Sequence, residues 1–190
     1  MVGKIEKQIK NSSENISAII LHKAKILKLA NLIKECKKRK KKILVIGNGG
    51  SASDAEHFTG ELLCTYASKK RAPFPAICLS SNIAALTAWS NDFNYKTFYK
   101  RKITALGNRG DLLVILSTSG GDNKKSVNLV YAAKEAKKMG VKIFSLLGRK
   151  GGKLKSISDF KIIVDNFSTA HIQEAHMVIL NCVCEYLEKK

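Results

Sequence analysis

The sequence predicts a single-domain, three-layer α/β sandwich built on a parallel sheet. Three observations lead there. Short β-rich apolar runs recur along the chain, Ile43 to Ile46 being the clearest; helical patterns separate them; and no internal repeat or low-complexity linker divides the chain. Strands that alternate with helices return to the sheet in parallel, with helices covering both faces. A hydrophobic fraction of 45% in 190 residues supplies one substantial core and too little for two, so residues 1–190 are expected as one domain.

Residues 4–39 repeat apolar side chains at helical spacing (Ile16, Ile19, Ile20, Ile26, Leu27, Leu29, Ala30, Leu32 and Ile33) with lysines between them. This predicts one long helix or two consecutive ones, a helical extension over 1–40. Then come strand 43–47, helix 51–66, strand 76–80, helical segments within 82–105, strand 111–117, helix 124–139, strands 141–147 and 159–164, and helix 169–188. Glycines punctuate the order: Gly107 and Gly110 precede the third strand, Gly140 ends a helix, and Gly148, Gly151 and Gly152 follow the fourth strand. Ligands of open parallel sheets gather beyond the carboxyl ends of strands where the winding direction reverses. The first and third strands both end in polar loops of small residues, and the site is expected there.

A net charge of +19 invites a nucleic-acid reading, but lysine greatly outnumbers arginine and is spread through every predicted helix. The concentrated run, Lys37 to Lys42, reads as a solvated helix end favoured by the helix dipole. Nucleic acid is therefore not the expected partner, whereas a positive field would draw in an anionic metabolite. Five cysteines, an odd number in apolar surroundings, fit reduced thiols in a cytoplasmic protein. Cys182 and Cys184 would point about 200° apart on a helix, which disfavours a redox pair. Met1 to Lys10 lacks a signal-peptide pattern, and no stretch of about 18 apolar residues suggests a membrane span.

The most informative stretch is 43–61, where an apolar strand meets a Gly47-Asn48-Gly49-Gly50-Ser51 turn and a helix carrying His57 and Glu61. The turn offers backbone N–H groups to an anion, and the i,i+4 pair puts an imidazole and a carboxylate on one helix face. A second loop, Ser117-Thr118-Ser119-Gly120-Gly121 running on to Ser126, can surround a phosphate with hydroxyl and N–H donors. A plain turn with a Ser or Asp helix cap fits the same residues. Neither loop has P-loop or three-glycine dinucleotide spacing, so no nucleotide cofactor is indicated. On the last helix Gln173 and Asn181 lie about 80° apart and share a broad face, flanked by His176, which reads as a hydrogen-bonded packing residue.

Four separated motifs, Gly47 to Phe58, Asn91-Asp92-Phe93, Ser117 to Gly120 and Ile172-Gln173-Glu174, stand in the order found in bacterial phosphoheptose isomerases. The chain is identified by this resemblance, from about residue 10 to its C-terminus, as similar to that branch of the sugar isomerase (SIS) fold. The resemblance implies a five-stranded, flavodoxin-like parallel sheet and a homotetramer with active sites at subunit interfaces. It implies aldose–ketose isomerisation of sedoheptulose 7-phosphate to D-glycero-D-manno-heptose 7-phosphate through an enediol, with Glu61 as the base. It further implies substrate contacts from Asn48, Gly49, Gly50, Asn91, Asp92 and Gln173, and a phosphate grip by Ser117, Thr118, Ser119 and, across about four extra residues, Ser126 in place of Asp122. Zinc would be held by His57, Glu61 and Gln173, with His176, Asn181 or water completing its shell. Asn181 departs from the pattern, which has histidine there as zinc ligand and acid/base partner; an amide cannot transfer that proton. The Asn181-Cys182-x-Cys184 segment resembles instead a non-enzymatic branch that binds the replication initiator DnaA. That branch tends to lose the carboxylate this chain keeps as Glu61, and a sugar-phosphate-responsive regulator stands beside it as a reading.

Overall fold

Five parallel strands in the order β2-β1-β3-β4-β5 form the sheet of the computed structural model, which describes residues 2–188. β1 (Ile43–Gly47) and β3 (Leu112–Ser117) lie side by side, with Gly47 opposite Leu116, and every residue of both is buried. Burial on both faces explains why these strands read as unbroken apolar runs. β4 (Lys142–Gly148) and the partly exposed edges β2 (Ala76–Cys78) and β5 (Phe160–Val164) complete the sheet.

Alternate residues of each strand feed two cores. Ile43, Val45, Val114, Leu116 and Leu146 pack with α2 (Lys23–Lys38), α3 (Gly50–Leu63) and α8 (Thr169–Glu188). Leu44, Ile46, Leu113 and Ile115 face the other way, onto α5 (Phe98–Leu106) and α6 (Val127–Lys138), with α4 (Ile83–Asp92) and the short α7 (Leu154–Ile157) on the same side. The expected three-layer sandwich with a five-stranded parallel sheet is therefore the observed fold.

The N-terminal segment divides into α1 (Val2–Ser17) and α2, joined by a 3-10 turn at Ala18–His22. α2 is no mere extension, because its Leu29, Ala30 and Ile33 are fully buried in the first core. α1 buries no residue and exposes Val2, Ile5 and Ile9.

Other boundaries shift for identifiable reasons. α3 stops at Leu63, where the Arg71 guanidinium donates to the carbonyls of Glu61, Leu62 and Cys64 and so caps the helix end. α6 begins at Val127 because Ser126 holds a left-handed φ of 53°, which ends the preceding loop. The one-turn α7 has no counterpart in the sequence reading. The basic run is also less solvated than its composition suggests: Lys37 donates to the Ala72 carbonyl over the Phe74 ring, and Lys42 pairs with buried Asp111 at 2.5 Å.

Candidate active site

The chain leaves β1 for edge strand β2 on one side and resumes at β3 on the other, so the winding reverses between β1 and β3. A crevice at the carboxyl ends of these two strands is the ligand position such a sheet provides. Both predicted loops border it, and each has its own local logic.

On the β1 side Gly49 adopts φ 55°, a backbone conformation that glycine reaches without a Cβ penalty. Gly50 opens α3 pressed against the Gln173 amide, and any Cβ here would overlap Nε2. Asn48 forms a reciprocal amide pair with Asn128, both bonds at 2.9 Å, and its Oδ1 also accepts from the Tyr95 hydroxyl at 2.8 Å. Beneath it, Tyr99 donates to the Gly47 carbonyl at 2.5 Å and meets the Ser80 hydroxyl at 2.9 Å. Burial pushes the Tyr99 phenol up, so it acts as a fixed donor.

The β3 side gathers hydroxyls. Ser117 Oγ accepts from the Gly120 N–H at 3.1 Å, and Ser119 Oγ lies 3.3 Å from both the Gly121 nitrogen and Ser126 Oγ. Thr118 is half-buried between them. The intervening residues turn outward around Asp122, whose Oδ1 accepts from the Lys124 and Lys125 N–H groups at 2.6 Å each. These hydrogen bonds hold the exposed Asp122 carboxyl below its ordinary pKa and occupy it locally. Ser126 thus stands beside Ser119 while Asp122 does not.

Farther along α3, His57 Nε2 lies 3.1 Å from Glu61 Oε1, with the imidazole more than half exposed and the carboxylate largely covered. Gln173 on α8 reaches Gly50 and interacts with Asp54. Burial raises the Asp54 carboxyl pKa; the Gln173 hydrogen bond and the His57 charge pull it down, and Oδ2 has no hydrogen-bond partner. Asn91 and Asp92 sit exposed at the end of α4, where their side chains bond each other at 2.9 Å and, among the described residues, no other candidate residue. His176 is the packing residue the sequence suggests, fully buried, but it departs from that reading in one respect: neither ring nitrogen has a hydrogen-bond partner among the described residues. Burial takes its pKa down to about 4, so the imidazole is neutral. Two cysteines also depart from expectation, because Cys64 and Cys182 are exposed while all five remain free thiols.

The SIS domain family matches residues 7–148. Phosphoheptose isomerase 1 of Campylobacter jejuni is 36% identical over 189 residues, covering 100% of this chain and 99% of that protein. The phosphoheptose isomerase of Helicobacter pylori is 42% identical over 159 residues, 84% of this chain and 80% of its own length. The chain belongs to the phosphoheptose isomerase family. A solved phosphoheptose isomerase from Francisella tularensis superposes with a TM-score of 0.92 at 31% identity, covering 100% of this chain and 98% of that one.

Within this family member, the sequence motifs found the loops but missed Asp54, Tyr95, Tyr99 and Asn128. Asp54 carried a usable signal, since it stands one helical turn before His57. The others meet Gly47 or Asn48 only through the tertiary fold. As a metal site, the α3–α8 face offers one imidazole and one carboxylate already converging, with the Gln173 amide nearer the start of α3, beside Gly50 and Asp54. No three His, Cys, Asp or Glu side chains gather among the described residues. That donor set fits a divalent ion held by two strong ligands and completed by amides or water, a weaker arrangement than a three-imidazole or thiolate site.

Proposed function

We propose that this protein interconverts sedoheptulose 7-phosphate and D-glycero-D-manno-heptose 7-phosphate, an aldose–ketose isomerisation through an enediol. The observation that carries this reading is the pairing of two polar loops at the carboxyl ends of β1 and β3 with a retained carboxylate. Asn48 and the Ser117–Ser119/Ser126 cluster belong to the loops, and Glu61, in contact with His57, supplies the carboxylate. Hydroxyls, glycine N–H groups and the start of α6 suit the phosphate. The adjacent amides suit the polyol. Glu61 takes a proton from one carbon and returns it to its neighbour, the transfer this chemistry requires.

Zinc is part of the proposal: His57, Glu61 and Gln173 would hold it, and a bound ion would supply Lewis-acid polarisation of the sugar carbonyl. The contact of His57 Nε2 with Glu61 Oε1 at 3.1 Å brings the two groups together.

Glu61 lies eleven residues beyond Gly50, so the helical rise places it about 16 Å along α3 from the loop of its own subunit. Proton transfer needs contact near 3 Å. That separation supports sites completed between subunits, in the homotetramer the resemblance implies. An apolar groove of about 370 Å³ lined by Ile16, Ile20, Ile26, Leu27, Val178 and Tyr186 supports self-association, as do the exposed Val2, Ile5 and Ile9 of α1. A cytoplasmic location fits the free thiols and a phosphorylated substrate; among the described residues no helix is long and apolar enough to cross a membrane.

Incubating purified protein with sedoheptulose 7-phosphate, with and without zinc, tests the reading; formation of the aldose is expected, and no product at high protein concentration overturns it. Asn181 favours one competing reading, a non-catalytic protein that binds DnaA. Turnover that vanishes on loss of the Glu61 carboxylate would exclude it.

A further inference from the structure

We propose that Asn128 and Tyr95 are positioning residues that lock Asn48 as a one-directional hydrogen-bond donor toward a substrate oxygen. This rests on the isomerase reading of the crevice. An asparagine amide has two faces, and in a free loop it offers either oxygen or nitrogen to a ligand. Here the choice is forced by a chain of contacts that begins at the backbone. The Leu129 N–H, which can only donate, reaches Asn128 Oδ1 at 3.0 Å and so fixes which end of the Asn128 amide is oxygen. That same oxygen accepts from Asn48 Nδ2 at 2.9 Å, and Asn128 Nδ2 returns a bond to Asn48 Oδ1 at 2.9 Å. The Tyr95 hydroxyl supplies a second donor to Asn48 Oδ1 at 2.8 Å.

Asn48 Oδ1 is therefore saturated by two donors, while Nδ2 has used one N–H and keeps the other. Asn48 is half-buried at the crevice, so that remaining N–H is its only free polar function. It complements a hydroxyl or carbonyl oxygen and rejects a ligand group that can only donate. Asn128 is 2% exposed and cannot itself be reached from outside, which separates its role from substrate contact. The two supports come from separate elements: Asn128 from the first turn of α6, and Tyr95 from the 3-10 turn Tyr95–Thr97 between α4 and α5. A fixed amide avoids the ordering cost that a free side chain incurs on binding.

The test is a mutant cycle on the full chain, read by steady-state kinetics with sedoheptulose 7-phosphate. Asn128→Asp keeps the shape but replaces the donor facing Asn48 Oδ1 by an acceptor; Tyr95→Phe removes the other donor and leaves the buried core untouched. Each is expected to raise KM, Asn128→Asp by roughly tenfold, with kcat held within about twofold, the pattern of lost uniform binding. In an Asn48→Ala background neither change is expected to alter KM further, because both act through Asn48. An unchanged KM for both single variants, or full additional losses in the Asn48→Ala background, overturns the proposal. If Asn128→Asp fails to fold, the Tyr95→Phe arm decides alone. Should wild-type protein bind this sugar phosphate by calorimetry without turning it over, the reaction assignment falls, and the same cycle read as Kd decides the positioning role. Absence of wild-type binding overturns both.

Discussion

In the proposed mechanism Glu61 is the base, and its setting yields a direct expectation. Glu61→Gln keeps size and can still hydrogen-bond to His57, so the fold and phosphate binding should persist while kcat falls by roughly 100-fold or more. Equal kcat in the variant would exclude Glu61 as the base. His176 makes a different prediction, about stability. The folded chain keeps this imidazole neutral down to about pH 4, whereas the unfolded chain binds a proton near the ordinary value of 6.5. Protonation therefore favours unfolding as pH falls below about 6.5, and the contribution is fully lost once pH passes below the folded value. The linkage amounts to about 3 kcal/mol at most. Urea midpoints at pH 7 and pH 4.5 should fall farther apart for wild type than for His176→Leu, which removes the titrating group.

At the scale of elements, the two glycines that open α3 serve different ends. Gly49 holds φ 55° and ψ −128°, so Gly49→Ala should cost stability, on the order of 1–3 kcal/mol. Gly50 has an ordinary φ but touches the tip of the Gln173 side chain, which can rotate away. Gly50→Ala should therefore leave the melting temperature nearly unchanged and lower activity by displacing Gln173. Thermal melts and kinetics on the same two variants check the division. The glycine-rich turn was legible as a motif, but the two roles were not, because a φ angle and a contact from α8, more than a hundred residues later, decide them. The 117–126 loop repeats the lesson: its hydroxyls were plain in the sequence, while the placement of Ser126 beside Ser119 depends on the outward Asp122 turn.

For the whole molecule, the pressing expectation is self-association. Cys182 is exposed in the single subunit and lines the apolar groove between the N-terminal helices and α8, whereas Cys64 is exposed elsewhere. Burial raises Cys36 to about 11 and Cys184 to about 12, so both should react slowly with thiol reagents at neutral pH. If the groove is a subunit interface, Cys64 alone should react quickly in concentrated protein, and Cys182 should become reactive as dilution dissociates the assembly. Mass-spectrometric mapping of alkylated cysteines against light-scattering mass measures this. Rapid labelling of Cys182 in a stable tetramer would place the interface elsewhere.

By itself, the sequence determined the layered α/β architecture, because burial on both faces of β1 and β3 forces unbroken apolar runs that periodicity exposes. It also determined the two loops, whose small polar residues are the chemistry a phosphate and a polyol need, and the His57–Glu61 pair, whose geometry follows from helical spacing alone. Only the tertiary structure decided what depends on contacts between distant segments. His176 is sealed in the core without a hydrogen-bond partner, Arg71 ends α3, and Asn128 with Tyr95 meets Asn48. Local periodicity carries information over a few residues, whereas the orientation of a buried amide or imidazole is fixed by partners that the chain brings together only on folding.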